Sequence, residues 1–381
     1  MIKQFLKKIF KTISYSIFSI VHGKIVGTLE TSDDNRIEVK TVNLENGLKY
    51  NIYKIDNGKL YTNRVHDTAA ILDNKIINGP SFQFRPIDTP SDPAGYNIFN
   101  SEVVNNIVLK IGTPRILRNL NGVVLSLLTG GAGNNNYWHW LYDVLPRIGL
   151  CSKSFSLSEI NYFLVPNLLR KFQNETLDIL DIPKNKRLSS LKYRHIKTKK
   201  LIITDHPVAI SGNSSLDIQN IPSWIMSWLK NNFIKDKIQK DKNSNKIYIE
   251  RDLISPNKVP ERSIINDEEV KRYLSNKGFV SVRLGEINFI DQVKMFYNAD
   301  CVLGLHGAAF ANIVFCKPGA KIIEFKSLTA GPVIANLAKK NNLNYNSVEA
   351  EANYTNKYNF PTQQGHIEIP INSLEKILEK K

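Results

Sequence analysis

His139 and Asp143 stand four residues apart in the run GGAGNNNYWHWLYDVLPRI (130–148). At helical spacing, residues i and i+4 share a face, so the two side chains can meet. Such a pair serves as a general base in two ways, with the imidazole or the carboxylate as the acting member. A carboxylate is already deprotonated at neutral pH, which favours Asp143 as base with His139 orienting it. The same spacing also suits a purely structural hydrogen-bonded pair. Tyr137, Trp138, Trp140, Leu141 and Leu145 read as core, although aromatic rings beside a Gly/Asn loop also suit sugar stacking. Pro146 ends or kinks the helix, and Arg147 adds a charge.

A second group lies at three expected strand ends. Arg251 ends KIYIER, where a guanidinium can grip phosphate in a bidentate contact or pair with Glu250 or Asp252. The turn Gly304-Leu305-His306-Gly307-Ala308-Ala309 lets backbone amides approach a ligand. The helix after it offers free N–H groups and a positive dipole end to an anion. His306 sits in that turn as a donor to phosphate oxygen, and Asn312 lies one turn on. Glu324 ends AKIIEF, where a carboxylate can accept both ribose hydroxyls. Three such groups at three strand ends favour a bound nucleotide diphosphate. The turn is neither a G-K-[ST] phosphate loop nor G-x-G-x-x-G, so an NAD-binding epimerase is disfavoured.

Other chemistries lack their residues. There is no G-x-S-x-G elbow, no Asp-x-Asp, and no carboxylate pair that spacing singles out. Cys151, Cys301 and Cys316 show no metal or redox spacing, so a disulfide framework and a zinc module are both disfavoured. Cys301 and Cys316 read as small core residues, and a reducing compartment fits best. His195 and the His206-Pro207 turn read as structural; His22, His66 and His366 show no partners in the sequence. The N-x-[ST] matches at Asn174, Asn213 and Asn353 carry little weight.

These residues need elements to hold them. Residues 246–326 read β-α-β-α-β-α-β, with strands KIYIER, FVSVRL, DCVLGLHG and AKIIEF. Asn266 with Glu269, and Asn288 with Asp291, are expected helix N-caps, and Gly278 closes the first helix. AAFANIVF is the third helix, broken by Pro318-Gly319. That is a doubly wound sheet of Rossmann type. Upstream, short β-like runs fill 25–125, the Pro/Gly-rich stretch 78–97 reads as loop, and VVLSLLTG, NYFLVPN and KKLIITDHP suggest a parallel βαβ sheet. The charged tract 230–246 marks a boundary near 235–245. The domain assignment is therefore a helix at 1–24, a first domain at 25–235, a second at 246–345 and a tail packing back at 346–381.

Residues 1–21 place Ile2, Phe5, Leu6, Ile9, Phe10, Ile13, Ile17, Phe18 and Val21 on one helical face, with Lys3, Lys7, Lys8 and Lys11 off it. Four lysines make this helix too polar to span a bilayer, and it suits an anionic membrane surface. The alternatives are a helix docked on the protein's own core and a signal peptide. The whole chain has 381 residues with 42% apolar content, which excludes a wholly disordered protein. Its 51 basic and 35 acidic residues leave a net charge of +16, which calls for an anionic partner. Nucleic acid is disfavoured, because the lysines are scattered and no recognition motif appears.

The run Asn136-Tyr137-Trp138-His139-Trp140-Leu141-Tyr142-Asp143-Val144-Leu145-Pro146-Arg147 resembles the N-terminal signature of the family 61 glycosyltransferases. Arg251, Arg262 with Asn266, Gly278-Phe279, Phe289-x-x-Gln292, Ala299-Asp300, His306-Gly307-Ala308, Asn312, Phe315, Pro318-Gly319 and Glu324 follow in that family's order and spacing. The resemblance covers 130–148 and 246–326. It implies an α/β fold of two facing Rossmann-like domains (GT-B type), here preceded by the basic amphipathic helix. It implies inverting transfer of a hexosyl, N-acetylhexosaminyl or pentosyl group from a nucleotide-sugar, a UDP-sugar favoured, with no metal or other cofactor. Asp143 and His139 are then the catalytic pair; Arg251, His306, Gly307, Ala308, Asn312 and Glu324 bind the donor. The acceptor is a growing surface polysaccharide such as a bacterial capsule, or a lipid-linked glycan. The enzyme is then cytoplasmic and peripheral on the inner face of the cell membrane. An idle sugar-binding scaffold of the same fold is the alternative. Two positions depart from the family pattern: Glu250 stands where Ser is more frequent, and Ala309-Phe310-Ala311 replaces an expected Gly then Leu-Thr.

Overall fold

The computed structural model describes residues 2–62, 68–82, 106–128, 136–211, 214–234, 245–251, 262–353 and 365–379. His66, Asn213, most of the 78–97 loop, the Gly/Asn loop 130–135 and the tract 235–244 lie outside the described residues. The fold is mixed α/β. The chain divides into two compact units, Met1–Asp217 and Ile218–Lys381. The division thus falls before the expected 235–245. The cause is the helix Ser223–Phe233, whose Phe233 ring packs edge-on against Phe289 at 4.8 Å and Phe315 at 6.3 Å in the second unit.

The first unit carries a ten-stranded mixed sheet. Its strands are β1 (Gly27–Leu29), β2 (Ile37–Asn43), β3 (Lys49–Asp56), β4 (Lys59–Thr62) and β5 (Thr68–Leu72), then β6 (Lys75–Ile77), β7 (Arg118–Ser126), β8 (Tyr162–Val165), β9 (Arg187–Ser189) and β10 (His195–Thr204). Ten residues long, β10 pairs antiparallel with β3 and β4 along one edge and parallel with β7 along the other. Only β10-β7-β8-β9 forms the expected parallel region, and the strands before β7 are mainly hairpin-built. Both faces of β10 are covered near its end, so LIIT reads as a continuous buried run. Ile55, Leu60, Val124, Leu164, Ile196 and Leu201 fill the core below.

The second unit holds five parallel strands: β11 (Asn245–Glu250), β13 (Phe279–Arg283), β14 (Ala299–Leu305), β15 (Lys321–Ser327) and β16 (Asn344–Ala350). A three-stranded sheet of β12 (Arg262–Ile264), β17 (Ala352–Asn353) and β18 (Gly365–Ile367) stands apart. The main order is β13-β11-β14-β15-β16. Counting only its own strands, that is 2-1-3-4-5, a doubly wound order whose direction reverses between β11 and β14. β16 belongs to this sheet, so the expected cut at 345/346 passes through a strand. The helix Ile371–Glu379 buries Leu374 against the same core. Gly304 permits the close β11–β14 approach: a Cβ there would lie 3.0 Å from Ile249 Cβ and 3.2 Å from its carbonyl oxygen.

Two local expectations change. Asn288 caps the helix Phe289–Asn298 by accepting from the Asp291 N–H at 3.0 Å. Asn266 does not cap: its side chain instead bonds both backbone groups of Ile369, each at 2.9 Å. AAFANIVF, at Ala308–Phe315, is a 3₁₀ helix.

His195 and His22 are partnered. His195 is 1% exposed, donates from Nδ1 to the Arg115 carbonyl at 3.0 Å, and meets the His22 ring at 5.1 Å. His366 pairs with Ser263 at 2.6 Å. Burial pushes the His195 imidazole down to about 4 from 6.5, against the opposing pull of the Arg115 carbonyl. The unfolded chain therefore takes up this proton first as pH falls, and stability is lost from about pH 6.5 towards pH 4. The loss from this residue is on the order of 2–3 kcal/mol. Urea midpoints at pH 7 and pH 5 check this: His195→Gln should shrink the acid loss seen in the wild type.

Candidate functional site

In the first unit, Asn136 starts the helical segment, its side chain accepting from the N–H groups of Trp138 (2.9 Å) and His139 (3.4 Å). The segment widens into a π turn at Trp140–Val144, where Leu145 N–H reaches the Trp140 carbonyl at 3.1 Å. Pro146 explains the widening. It has no N–H, and its ring crowds the preceding turn. The segment follows the carboxyl end of β7. His139 Nδ1 meets Asp143 Oδ2 at 2.7 Å, so the expected pair forms. Asp143 is 1% exposed, whereas the His139 side chain keeps 18% of its surface.

A third group joins them that the sequence reading set aside. His206, two residues past the end of β10, has Nε2 3.9 Å from Asp143 Oδ2 and a fully buried side chain. Its Nδ1 accepts from the Val208 N–H at 3.3 Å, so the ring proton sits on Nε2, facing Asp143. The signal was available: His206 ends a buried strand whose neighbour β7 leads into the His139 segment.

Beneath this lies Arg147, which is fully buried. Its Nε donates to the Asp143 carbonyl (2.9 Å) and its Nη1 to those of Thr204 (3.2 Å) and Asp205 (3.5 Å). Burial pushes Arg147 down to about 10, with Asp143 and Asp205 opposing, so it stays cationic at neutral pH. Burial raises the Asp205 carboxyl; the Asn51 N–H (2.7 Å), the Tyr53 hydroxyl (2.9 Å) and Arg147 oppose. The three cysteines are buried, and burial pushes Cys151 up to about 12 and Cys301 up to about 11.

In the second unit, Arg251 follows β11 and His306 follows β14, on either side of the strand-order reversal. Arg251 is exposed, and its Nη1 lies 3.8 Å from where a Cβ on Gly307 would stand. His306 is held at three points. Its Nδ1 bonds Glu324, its N–H donates to the Phe325 carbonyl at 2.7 Å, and its carbonyl accepts from Arg262 Nη1 at 3.1 Å. Gly307, Ala308 and Ala309 are half-buried at the head of the 3₁₀ helix.

Two expected donor contacts are corrected. Glu324 is fully buried, with one oxygen on His306 and the other on the Tyr345 hydroxyl, so here neither oxygen is open to a ribose. Asn312 is also fully buried and donates to Gln292 Oε1 (3.0 Å) and the Ala309 carbonyl (3.4 Å). Both residues stiffen the turn from behind. Glu250 faces Arg283 at 2.9 Å and Lys271 at 3.8 Å, which neutralises the charge that stood out in the sequence. A cavity of about 170 Å³ opens beside Arg251, lined by Tyr248, Ser263, Asp267, Lys271 and Arg283. A larger hollow of about 630 Å³ is lined by Glu269, Glu351 and Glu368, charges of the wrong sign for a diphosphate. Among the described residues, no group of three His, Cys, Asp or Glu side chains could hold a metal ion.

Arg147→Leu strands three carbonyls and removes the charge that faces the Asp143 and Asp205 carboxyls. Loss of one member of such a network costs about 3–5 kcal/mol. Urea denaturation should show that loss, and Arg147→Lys should recover little of it, because an ammonium lacks the planar fork.

No curated protein matches this chain. The model of the family described as Glycosyltransferase 61 matches residues 137–323, just under half of the chain's 381 residues. The matched span holds His139, Asp143, His206, Arg251 and His306, and ends one residue before Glu324. Over that span the chain is similar to the family 61 glycosyltransferases, and glycosyl transfer is the activity that this similarity supports.

Proposed function

We propose that this chain is an inverting, metal-independent glycosyltransferase of two Rossmann-like units (GT-B type). It moves a sugar from a nucleotide-sugar, a UDP-sugar favoured, to a hydroxyl of a growing surface polysaccharide or lipid-linked glycan. The second unit takes the donor and the first serves the acceptor. The carrying observation is that Arg251 and His306–Gly307 flank the reversal point of a 2-1-3-4-5 parallel sheet. Ligands of such sheets sit beyond the strand carboxyl ends at that point.

The diphosphate lies against the backbone of Gly307 and Ala308, under the Arg251 guanidinium. The bond from Nδ1 to Glu324 fixes the His306 ring, which leaves Nε2 for the leaving phosphate. Charge developing there is met by groups already in place.

In the first unit, burial exchanges the roles expected from sequence. Asp143 is withdrawn from solvent and its Oδ2 is engaged by His139, so the carboxylate orients the ring. With Nδ1–H donated to Asp143, His139 Nε2 carries the lone pair that removes the acceptor hydroxyl proton. His206 Nε2–H steadies the same carboxylate.

Two measurements test this reading. Thermal shift against UDP, GDP, CDP, ADP and CMP should single out one nucleotide; at 100 times its Kd, stabilisation is about 2.7 kcal/mol. Arg251→Ala should lose that shift. No shift with any nucleotide would count against the donor site. Transfer by His139→Ala and Asp143→Asn should fall about 10²–10⁴-fold, with the nucleotide shift unchanged in both. Near-full transfer by both variants would refute the acceptor-side assignment, and a normal shift with no transfer even in the wild type would favour the scaffold.

A further inference from the structure

The helix Ile2–His22 sits on the first unit by one narrow face. The Tyr15 hydroxyl donates to the Lys110 carbonyl at 3.2 Å, and Tyr15 closes over Gly112. The Phe18 ring stacks on His22 at 5.6 Å, and His22 meets His195 edge-on. Tyr15, Phe18 and His22 recur at helical spacing and make the seat. The rest of the apolar stripe is turned away from it. Phe5, Phe10, Ile13, Ile17 and Ile20 are between 52% and 84% exposed. A soluble helix normally points such a stripe at its own core; this one docks by its aromatic and polar side and leaves the stripe outward. No helix among the described residues is long and apolar enough to cross a membrane.

Basic residues predominate around this helix. The sequence carries Lys3, Lys7, Lys8, Lys11 and Lys24 and no acidic residue before Glu30. Where the helix is seated, the first unit adds Lys59, Arg115, Arg194 and Lys197. Burial and Arg115 together hold Arg194 below its ordinary range. Burial and Lys197 do the same to Lys59, with Asp73 opposing. Basic residues thus gather in the sequence and around the seat of a helix whose apolar stripe is exposed, and an anionic, apolar partner suits both.

We propose that the outward face of the helix Ile2–His22 lies in the headgroup layer of an anionic lipid bilayer, with the lysines of the helix and the basic residues around its seat attracting it there. The first unit is thereby fixed to the membrane surface. This inference stands on the helix and is independent of the glycosyltransferase reading.

The full chain is sedimented with phosphatidylglycerol/phosphatidylcholine vesicles and with phosphatidylcholine vesicles alone. The wild type should bind the anionic vesicles, more weakly at high salt, and bind neutral vesicles poorly. Phe10→Ser with Ile13→Ser removes apolar side chains from the exposed face, so its melting temperature should stay that of the wild type while its vesicle affinity falls at least about tenfold. Lys7→Glu with Lys11→Glu should weaken binding to anionic vesicles only. Equal binding to both vesicle types, or undiminished binding by the Phe10/Ile13 variant, overturns the proposal. So does a lipid-free dimer that the Phe10/Ile13 variant dissociates, since a second copy of the chain then covers the stripe. Nucleotide thermal shifts on the same variants should be unchanged, which separates this outcome from any failure of the donor site.

Discussion

A carboxylate withdrawn from water must have its oxygens held, or its burial is costly. Glu324 and Asp143 are two such groups, at 0% and 1% exposure, and each unit is arranged around one of them. Each is held by the Nδ1 of a histidine, His306 and His139 respectively. Fixing Nδ1 fixes the ring, and a fixed ring has only one direction left for Nε2. The two units reach this arrangement differently. In the first, one helical turn brings His139 over Asp143. In the second, neighbouring parallel strands do it: Gly304 pairs with Glu324 in register, and His306 follows two residues on.

Much of the second unit was legible because its signals are local. Gly278 has φ +81°, a conformation that glycine adopts without strain, and the Asn288 cap spans only three residues. The His139–Asp143 pair needed only a helical period, which the π turn widened without separating the two. What escaped the sequence depends on partners distant along the chain. Glu324 looked like a ligand contact because nothing nearby shows that Tyr345, on β16, closes its second oxygen. Asn312 looked available because Gln292 lies twenty residues back. His206 looked isolated because its approach to Asp143 depends on the pairing of β10 with β7. The domain boundary followed the charged tract, but the Phe233 ring carries the preceding helix into the second unit's core.

One departure from the resembled pattern, Glu250, is absorbed by its neighbours. Glu250 next to Arg251 would oppose an anion if it faced the same space. Instead it faces Arg283 and Lys271, and Lys271 also reaches Asp267 at 2.8 Å. The negative charge introduced at the strand end is matched within one layer of side chains. Coulomb energy falls with distance and with local polarity, so a carboxylate neutralised at 2.9 Å by a guanidinium weighs little on a phosphate held elsewhere.

Strand alternation then decides which candidates meet a ligand. Successive side chains of a strand point to opposite faces, and at a strand's end the alternation separates a supporting residue from a contacting one. Glu324 lies inside β15 and turns into the core. Arg251 and His306 lie just past the ends of β11 and β14, where the pleat no longer dictates direction. A shift of one or two residues along a strand therefore separates a buried group from one at the strand's open end. Sequence spacing alone could place all three at strand ends, but only the register of β14 on β15, with Tyr345 on the next strand, buries Glu324 behind His306.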